Sequence, residues 1–350
     1  MRNKIVGILF GATIAAIAVI WLGGDRRPRP YHLLTEADGR FACVAFQYTR
    51  ASSSFTRPCL RAFFQALDPS VEVIAICGDE ADVGAVRADF PFRGRTLKTV
   101  LIGKPITGWC KDRFLVAAGS PAVLCRPPEE NTGMLTRTND ALVAPALARA
   151  FPGRFKDKVV PLKFDAGDIL PCGGKLIVSD TLWVKNGRPR DFQKRLEGLF
   201  GLDVVWLHNV PDHHIGMYAA PVADNEIVVG DPDLAKPLWT AAMESRLGKA
   251  DFSAATVALF HNAASELRAA GFKVIPAPTV PLGPQTFITY TNGVFETGIV
   301  YMPAYNCPPL DDLGRAAYRS VGRNVVPIPV ETVYRYRGTI GCLINVLERR

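Results

Sequence analysis

A helix followed by a strand recurs five times along this chain, and that recurrence limits its fold more than any other feature. Each copy joins a stretch with apolar residues at three-to-four spacing to a β-branched run bounded by Gly, Pro or Asp. The copies are 60–67 then 71–76, 141–151 then 158–162, 192–200 then 202–207, 255–270 then 272–276, and 313–321 then 323–328. Further strands are predicted between them at 41–48, 96–102, 122–125, 175–179, 226–230, 286–290 and 298–303. Alternating helices and strands indicate an α/β protein. The intervals between copies vary widely, whereas a linear solenoid keeps a fixed period. The pattern therefore predicts a closed ring of five α/β modules. No P-loop occurs, and no Gly-x-Gly-x-x-Gly follows a first strand, so nucleotide-binding α/β folds have no motif support.

The 350 residues suffice for one or two domains, and 48% hydrophobic with 21% charged residues is a globular balance. Half of the net charge of +8 falls in the first thirty residues, where Arg2, Lys4, Arg26, Arg27 and Arg29 face only Asp25. The rest is mildly basic, without lysine-rich tracts or basic–aromatic interleaving, which argues against a nucleic-acid partner. Between Lys4 and Asp25 run twenty uncharged, mostly apolar residues, enough to span a bilayer core. Arg2 and Lys4 resemble the n-region of a signal. Trp21-Leu22-Gly23-Gly24 offers no small-x-small cleavage site, so 1–24 is expected to be an uncut membrane anchor, with a cleaved export signal as the second reading. Two basic residues precede the run and three follow, which leaves its orientation open. Residues 25–37 read as an Arg/Pro-rich linker and 38–350 as one α/β body, expected outside the membrane in a periplasmic or extracellular setting. The eight cysteines contain no Cys-x-x-Cys pair and no zinc spacing.

Four stretches carry the reactive side chains. In Trp109-Cys110-Lys111-Asp112, the aspartate taken alone is a turn residue paired with Lys111 or Arg113. Its functional reading is a carboxylate for a planar guanidinium fork. In Phe164-Asp165-Ala166-Gly167-Asp168, two acids flank a glycine and the chain turns sharply. The oxygen-ligand repeat of a calcium loop is missing there. Asp212-His213-His214-Ile215-Gly216-Met217 holds two of the five histidines. His214 is the better proton carrier, because Ile215 and Met217 continue from it toward a strand. In Gly338-Thr339-Ile340-Gly341-Cys342, the cysteine alone is a small hydrophobe at a tight packing point. Beside positive charge it becomes a nucleophilic thiolate, and the two glycines let backbone and ligand approach closely. Acid, acid, histidine and cysteine form a set able to hold a cationic carbon and attack it.

In order and surroundings these residues resemble the guanidino-group-modifying enzymes, the five-module α/β-propeller (pentein) superfamily, over residues 40–350. Agmatine deiminases and protein-arginine deiminases are nearest. Asp112 falls on the substrate-gripping aspartate that follows a tryptophan, here Trp109. Asp165-Ala166-Gly167-Asp168 falls on an acid-Gly-Gly motif. Tyr290-Thr291-Asn292, then 299–303, looks like the penultimate strand pair with its Tyr-x-Asn. Asp311–Val321 and Val325–Ile328 match the last helix and strand, and Gly338 to Cys342 matches the terminal nucleophile motif. Asn345-Val346 after the cysteine is similar to the protein-arginine deiminases in particular. Two positions depart: Gly216 stands where His-x-Asp has its aspartate, and Gly341 precedes the cysteine where histidine is common.

The resemblance implies a pentein-type propeller that hydrolyses a C–N bond of arginine, agmatine or peptidyl-arginine through a cysteine-bound amidino intermediate. It assigns catalysis to Cys342, His214, Asp112 and Asp165, and substrate contact to Asp112, Asp168, Asn292 and Trp109. It calls for no metal or other cofactor, with calcium only by analogy to some relatives. The alternatives are an amidinotransferase and an inactive propeller that binds a guanidinium-bearing ligand or partner. A homo-oligomer is left open.

Overall fold

The computed structural model describes residues 29–90, 92, 94–130 and 132–350. The expected anchor or signal at 1–24 lies outside them. Among the described residues no helix is long and apolar enough to cross a membrane.

Valine- and isoleucine-rich runs form the frame, and each helical crossover brings the next run back parallel to the last, as such connections do. Phe41–Tyr48 passes through helix Arg50–Ala66 to Glu72–Cys77. Ala122–Arg126 passes through Val143–Ala150 to Phe155–Val159. Lys175–Ser179 passes through Phe192–Phe200 to Asp203–Leu207. Glu226–Asp231 passes through Ala254–Ala269 to Lys273–Gly283. Ile299–Ala304 passes through Pro308–Arg319 to Asn324–Pro329. Against the leading strand of each pair lies an antiparallel one: Ile344–Arg349, Leu115–Ala117, Ile169–Cys172, Ala219–Ala223 and Val294–Glu296. Five sheets of one design result, with Leu97–Leu101 added to the first and Thr286–Thr289 to the fourth. The ring closes where Ile344–Arg349 pairs with Phe41–Tyr48, Phe46 opposite Ile344 and Val44 opposite Val346.

Helix placement follows from caps and spacing. Thr49 and Ser52 exchange side-chain and backbone bonds at the start of Arg50–Ala66, a reciprocal cap. Ser253 accepts from the Thr256 amide ahead of Ala254–Ala269, whose Val257, Phe260, Ala263 and Leu267 are buried at helical spacing. Leading strands such as Phe41–Tyr48 are covered on both faces, as parallel pairing under helices requires. Phe46 and Phe64 each pack edge-on with Phe90 in the largest core cluster, each buried ring contributing roughly 1.5–3 kcal/mol.

Local expectations differ from the structure in several places: the predicted strand 272–276 runs on as Lys273–Gly283, and the predicted helix 313–321 is Pro308–Arg319. The predicted strand 158–162 is Phe155–Val159, because Pro161 cannot donate to a ladder and buried Phe155 anchors the pairing. The first helix starts at Arg50, its polar Ser52-Ser53-Ser54 turn having hidden the start. Residues 31–37, expected in the linker, lie on the body. The Tyr31 amide donates to Leu199, Leu33 bridges Ala117, and the Leu34 amide donates to Val116. The compact unit accordingly runs Tyr31–Arg350.

Candidate active site

Each of the five sheets delivers a polar side chain from the turn just ahead of its antiparallel strand. Asp112 precedes Leu115–Ala117, and Asp165 and Asp168 precede Ile169–Cys172. His214 precedes Ala219–Ala223, Asn292 precedes Val294–Glu296, and Cys342 precedes Ile344–Arg349. Equivalent turns of a ring face one another, so residues scattered over the sequence meet in one place. The donor atoms of Asp112, His214 and Cys342 lie within 4.8 Å of one another. The His214 ring stands between two carboxylates, Nδ1 3.9 Å from Asp112 Oδ1 and Nε2 3.7 Å from Asp165 Oδ2.

Backbone bonds tie these turns together. The Ala166 amide donates to the Asp112 carbonyl at 2.6 Å, the Lys111 amide to Cys342 at 3.2 Å, and the Gly341 amide to Asn292 at 3.1 Å. Thr339 Oγ1 donates to Asn292 Oδ1 at 2.6 Å and also reaches the Asn292 carbonyl. Cys342 Sγ is 3.3 Å from the same Asn292 Oδ1, and the thiol is 6% exposed. Two glycines make room. A Cβ on Gly167 would stand 2.5 Å from His214 Cγ, and one on Gly338 would stand 2.6 Å from Trp109 Cζ3.

Cations fill the acid side of the site. Arg137 bridges Asp112 Oδ2 at 2.7 Å and Asp165 Oδ1 at 2.5 Å. Lys185 Nζ lies 2.6 Å from Asp168 Oδ2 and 3.0 Å from Asp165 Oδ2, and Arg113 reaches Asp165 at 3.5 Å. Burial works against charge on His214, but Asp165, Cys342, Asp112 and Asp168 outweigh it and hold its pKa well above the ordinary histidine value. Burial also opposes charge on Asp165, and His214, Arg137 and Lys185 overcome it, keeping the carboxyl well below its usual range. His213 goes the other way, to about 4, through burial and the charge of His214. At neutral pH His214 is an imidazolium, standing between Asp112 and Asp165 and beside Cys342 Sγ.

Asp112, His214, Asn292, Gly216 and Cys342 line one small cavity with Lys111 and Glu36, which form an ion pair. Its volume is about 20 Å³, room for one water. Asp165 stands behind the imidazole. Asp168 is a turn cap, its Oδ2 accepting from the Asp165 amide at 2.9 Å, and its Oδ1 is buried without a partner among the described residues. Trp109 does not line the cavity but packs on Phe55 and Gly338. A Cβ on Gly216 would stand 3.0 Å from Asn292 Nδ2, so the asparagine amide borders the place where an aspartate is expected. Asp112, His214 and Cys342 offer a mixed O, N and S donor set to an ion, although Arg137 already neutralises Asp112. Sequence reasoning missed Arg137 and Lys185, which nothing distinguishes from surface cations before the fold is known, and it offered Lys111 or Arg113 to Asp112, whereas Lys111 pairs with Glu36, Arg113 reaches Asp165 and Arg137 holds Asp112.

Five like sheets closed in a ring, with polar turns gathered at one end, define an α/β-propeller of the pentein type. Solved structures share it. The agmatine deiminase of C. jejuni superposes with a TM-score of 0.69 at 14% identity, covering 90% of this chain and 95% of that one. The agmatine deiminase of Enterococcus faecalis does so with a TM-score of 0.68 at 12% identity, covering 91% and 96%. A third structure, carrying a provisional peptidyl-arginine deiminase name, gives a TM-score of 0.71 at 14% identity, covering 91% and 99%. No protein-family model and no curated protein matches the chain.

Proposed function

We propose that this protein is a deiminase, a hydrolase acting on the C–N bond of a guanidino group. One observation carries the reading: Cys342, His214 and Asp112, from three different modules, bring their reactive atoms within 4.8 Å of one another, with Asp165 on the far ring nitrogen. The likeness of the whole fold to agmatine deiminases supports it. Asp112 orients the substrate guanidinium. Cys342 gives up its thiol proton to solvent as Sγ forms a bond to the guanidinium carbon, and the tetrahedral adduct holds four single bonds to carbon. His214, charged at neutral pH, gives its proton to the leaving nitrogen as that C–N bond breaks, and ammonia departs. The carbon stays on sulfur as an amidino-thioether. Neutral His214 then takes a proton from water, the oxygen adds to the carbon, the C–S bond breaks, and a ureido product leaves. Acid–base help of this kind contributes about 10²–10⁴ in rate. The apolar run at Ile5–Gly24 and its basic flank support placing this activity at a membrane.

A second reading is an inactive propeller that binds a guanidinium-bearing ligand, favoured by Gly216 in place of a second carboxylate. Assay of ureido product and ammonia from free arginine, agmatine and an arginine peptide separates the two. Turnover abolished in Cys342→Ala establishes the hydrolase and identifies its substrate. A folded protein silent on all three, with Cys342 unmodified by an amidine electrophile, leaves only the binding reading.

A further inference from the structure

The carboxylates that would receive a substrate guanidinium already hold one. Arg137, in the helical turn Leu135–Asn139, lays one planar fork across Asp112 and Asp165, at 2.7 and 2.5 Å. These are the same two acids that face the two ring nitrogens of His214. Two-point binding of carboxylates is the contact a substrate's fork would make.

Charge and space agree with this. Asp112, Asp165 and Asp168 are met by Arg137, Arg113 and Lys185, so every anion of the cluster has a cation before any ligand arrives. A second guanidinium would enter without a free carboxylate, and a buried unpaired charge is strongly disfavoured. The cavity beside Cys342, at about 20 Å³, has room for about one water, so a ligand enters only as side chains move. Arg137 also has somewhere to go. It borders a basin of about 350 Å³, shared with Arg113, Glu130, Lys163 and Lys185, and its side chain is 18% exposed.

We infer that Arg137 is an internal placeholder that sets the specificity of the site. A guanidino ligand binds by displacing the Arg137 fork into the basin and taking over Asp112. The pocket's affinity for cations is therefore a difference between two similar forks. Only a ligand with further contacts of its own outcompetes the resident arginine. The inference rests on the guanidino reading of the site, and it adds a residue that reading does not contain.

The test uses the full chain and two small electrophiles of like shape, cationic 2-chloroacetamidine and neutral 2-chloroacetamide. Their rates of Cys342 alkylation are followed by mass spectrometry, with Cys342→Ala as background. Arg137→Gln is expected to raise the amidine-to-amide rate ratio about tenfold or more, since it frees a charged two-point site. Arg137→Lys keeps a cation for the fold but only a point charge, and is expected to fall between Arg137→Gln and wild type. An unchanged ratio in folded Arg137→Gln overturns the inference. If that variant does not fold, an unchanged ratio in Arg137→Lys does so. Turnover of a guanidino compound with an unchanged ratio keeps the hydrolase and removes the placeholder. A raised ratio with no turnover of any guanidino compound keeps the placeholder and removes the hydrolase.

Discussion

Adding one methyl group at Gly167 should disable this site without replacing any reactive side chain. Gly167 is not among the glycines with positive φ, so alanine suits its backbone. The difficulty is space: the new Cβ would lie 2.5 Å from His214 Cγ, 2.6 Å from Nδ1 and 2.7 Å from Cβ. Ordinary contact begins near 3.4 Å, so the imidazole must retreat by about 0.9 Å. Asp112 and Asp165 stand at its two nitrogens and His213 at 5.0 Å between centroids, so it cannot move freely. A misplacement of about 1 Å costs roughly 10²-fold in rate, and overpacking costs about 1–3 kcal/mol in stability. The assay is ureido product from the guanidino compound that wild type turns over, with a thermal melt of each protein. Gly167→Ala should lose about 10²-fold in kcat with KM nearly unchanged. Gly198→Ala is the control. It lies in helix Phe192–Phe200 with no atom within 4 Å of the new methyl group, and should gain up to about 1 kcal/mol with normal activity. A folded Gly167→Ala enzyme within about threefold of wild-type kcat would refute the claim that the glycine exists to seat the imidazole.

Gly216→Asp puts a carboxylate where the resemblance expects one. Its Cβ at 3.0 Å from Asn292 Nδ2 asks the amide to yield a few tenths of an ångström. Cationic ligands should then bind more tightly by about 1.5–3 kcal/mol, read as a lower KM or calorimetric Kd; equal or weaker binding goes against the reading. Thr339→Ala removes the hydroxyl that Asn292 Oδ1 and the Asn292 carbonyl share. It should cost about 1–3 kcal/mol by chemical denaturation, whereas a loss within error would make that bond incidental. The raised pKa of His214 also has a sign in stability. Its contribution is complete below the unfolded histidine pKa of about 6.5 and fades as pH rises through the higher folded value. Asp165, held low, contributes above the ordinary carboxylate pKa of about 3.9 and fades as acid is added. Replacing His214 with Gln should therefore flatten the alkaline side of the melting-temperature profile, and an unchanged slope there would contradict the assignment.

The framework was legible because its leading strands are valine-isoleucine runs closed by turn residues. Phe41–Tyr48, Lys175–Ser179 and helix Phe192–Phe200 begin and end where the pattern places them. The antiparallel strands were not legible, although the site turns lead into them. Leu115–Ala117 and Val294–Glu296 are three residues long, too short for alternation to register. Ile169–Cys172 contains Pro171, and Ile344–Arg349 follows the cysteine without a break. Asp112, His214, Asn292 and Cys342 were found through the order of their motifs and do meet at one cavity. Trp109 and Asp168, expected to contact substrate, do not line that cavity: Trp109 packs on Phe55 and Asp168 caps a turn. Arg137 was invisible because its role depends on two carboxylates distant in the sequence. Residues 31–37 read as a linker because Arg-Pro-Arg-Pro precedes them, while the bonds that hold Tyr31 and Leu34 are made by their backbones, which composition does not reveal.

The pairing of Ile344 with Phe46 joins positions 298 apart. A contact of that separation is costly in chain entropy and late to form. Four modules can be synthesised and collapse while the thiol is still on the ribosome or trailing from the body. Only when the last strand docks is Cys342 carried in among the other turns. Burial of the thiol is thus a clock for completion of the barrel-like body. During refolding, the decay of Cys342 reactivity toward a general alkylating agent times that final docking, separately from the earlier gain of helix and sheet.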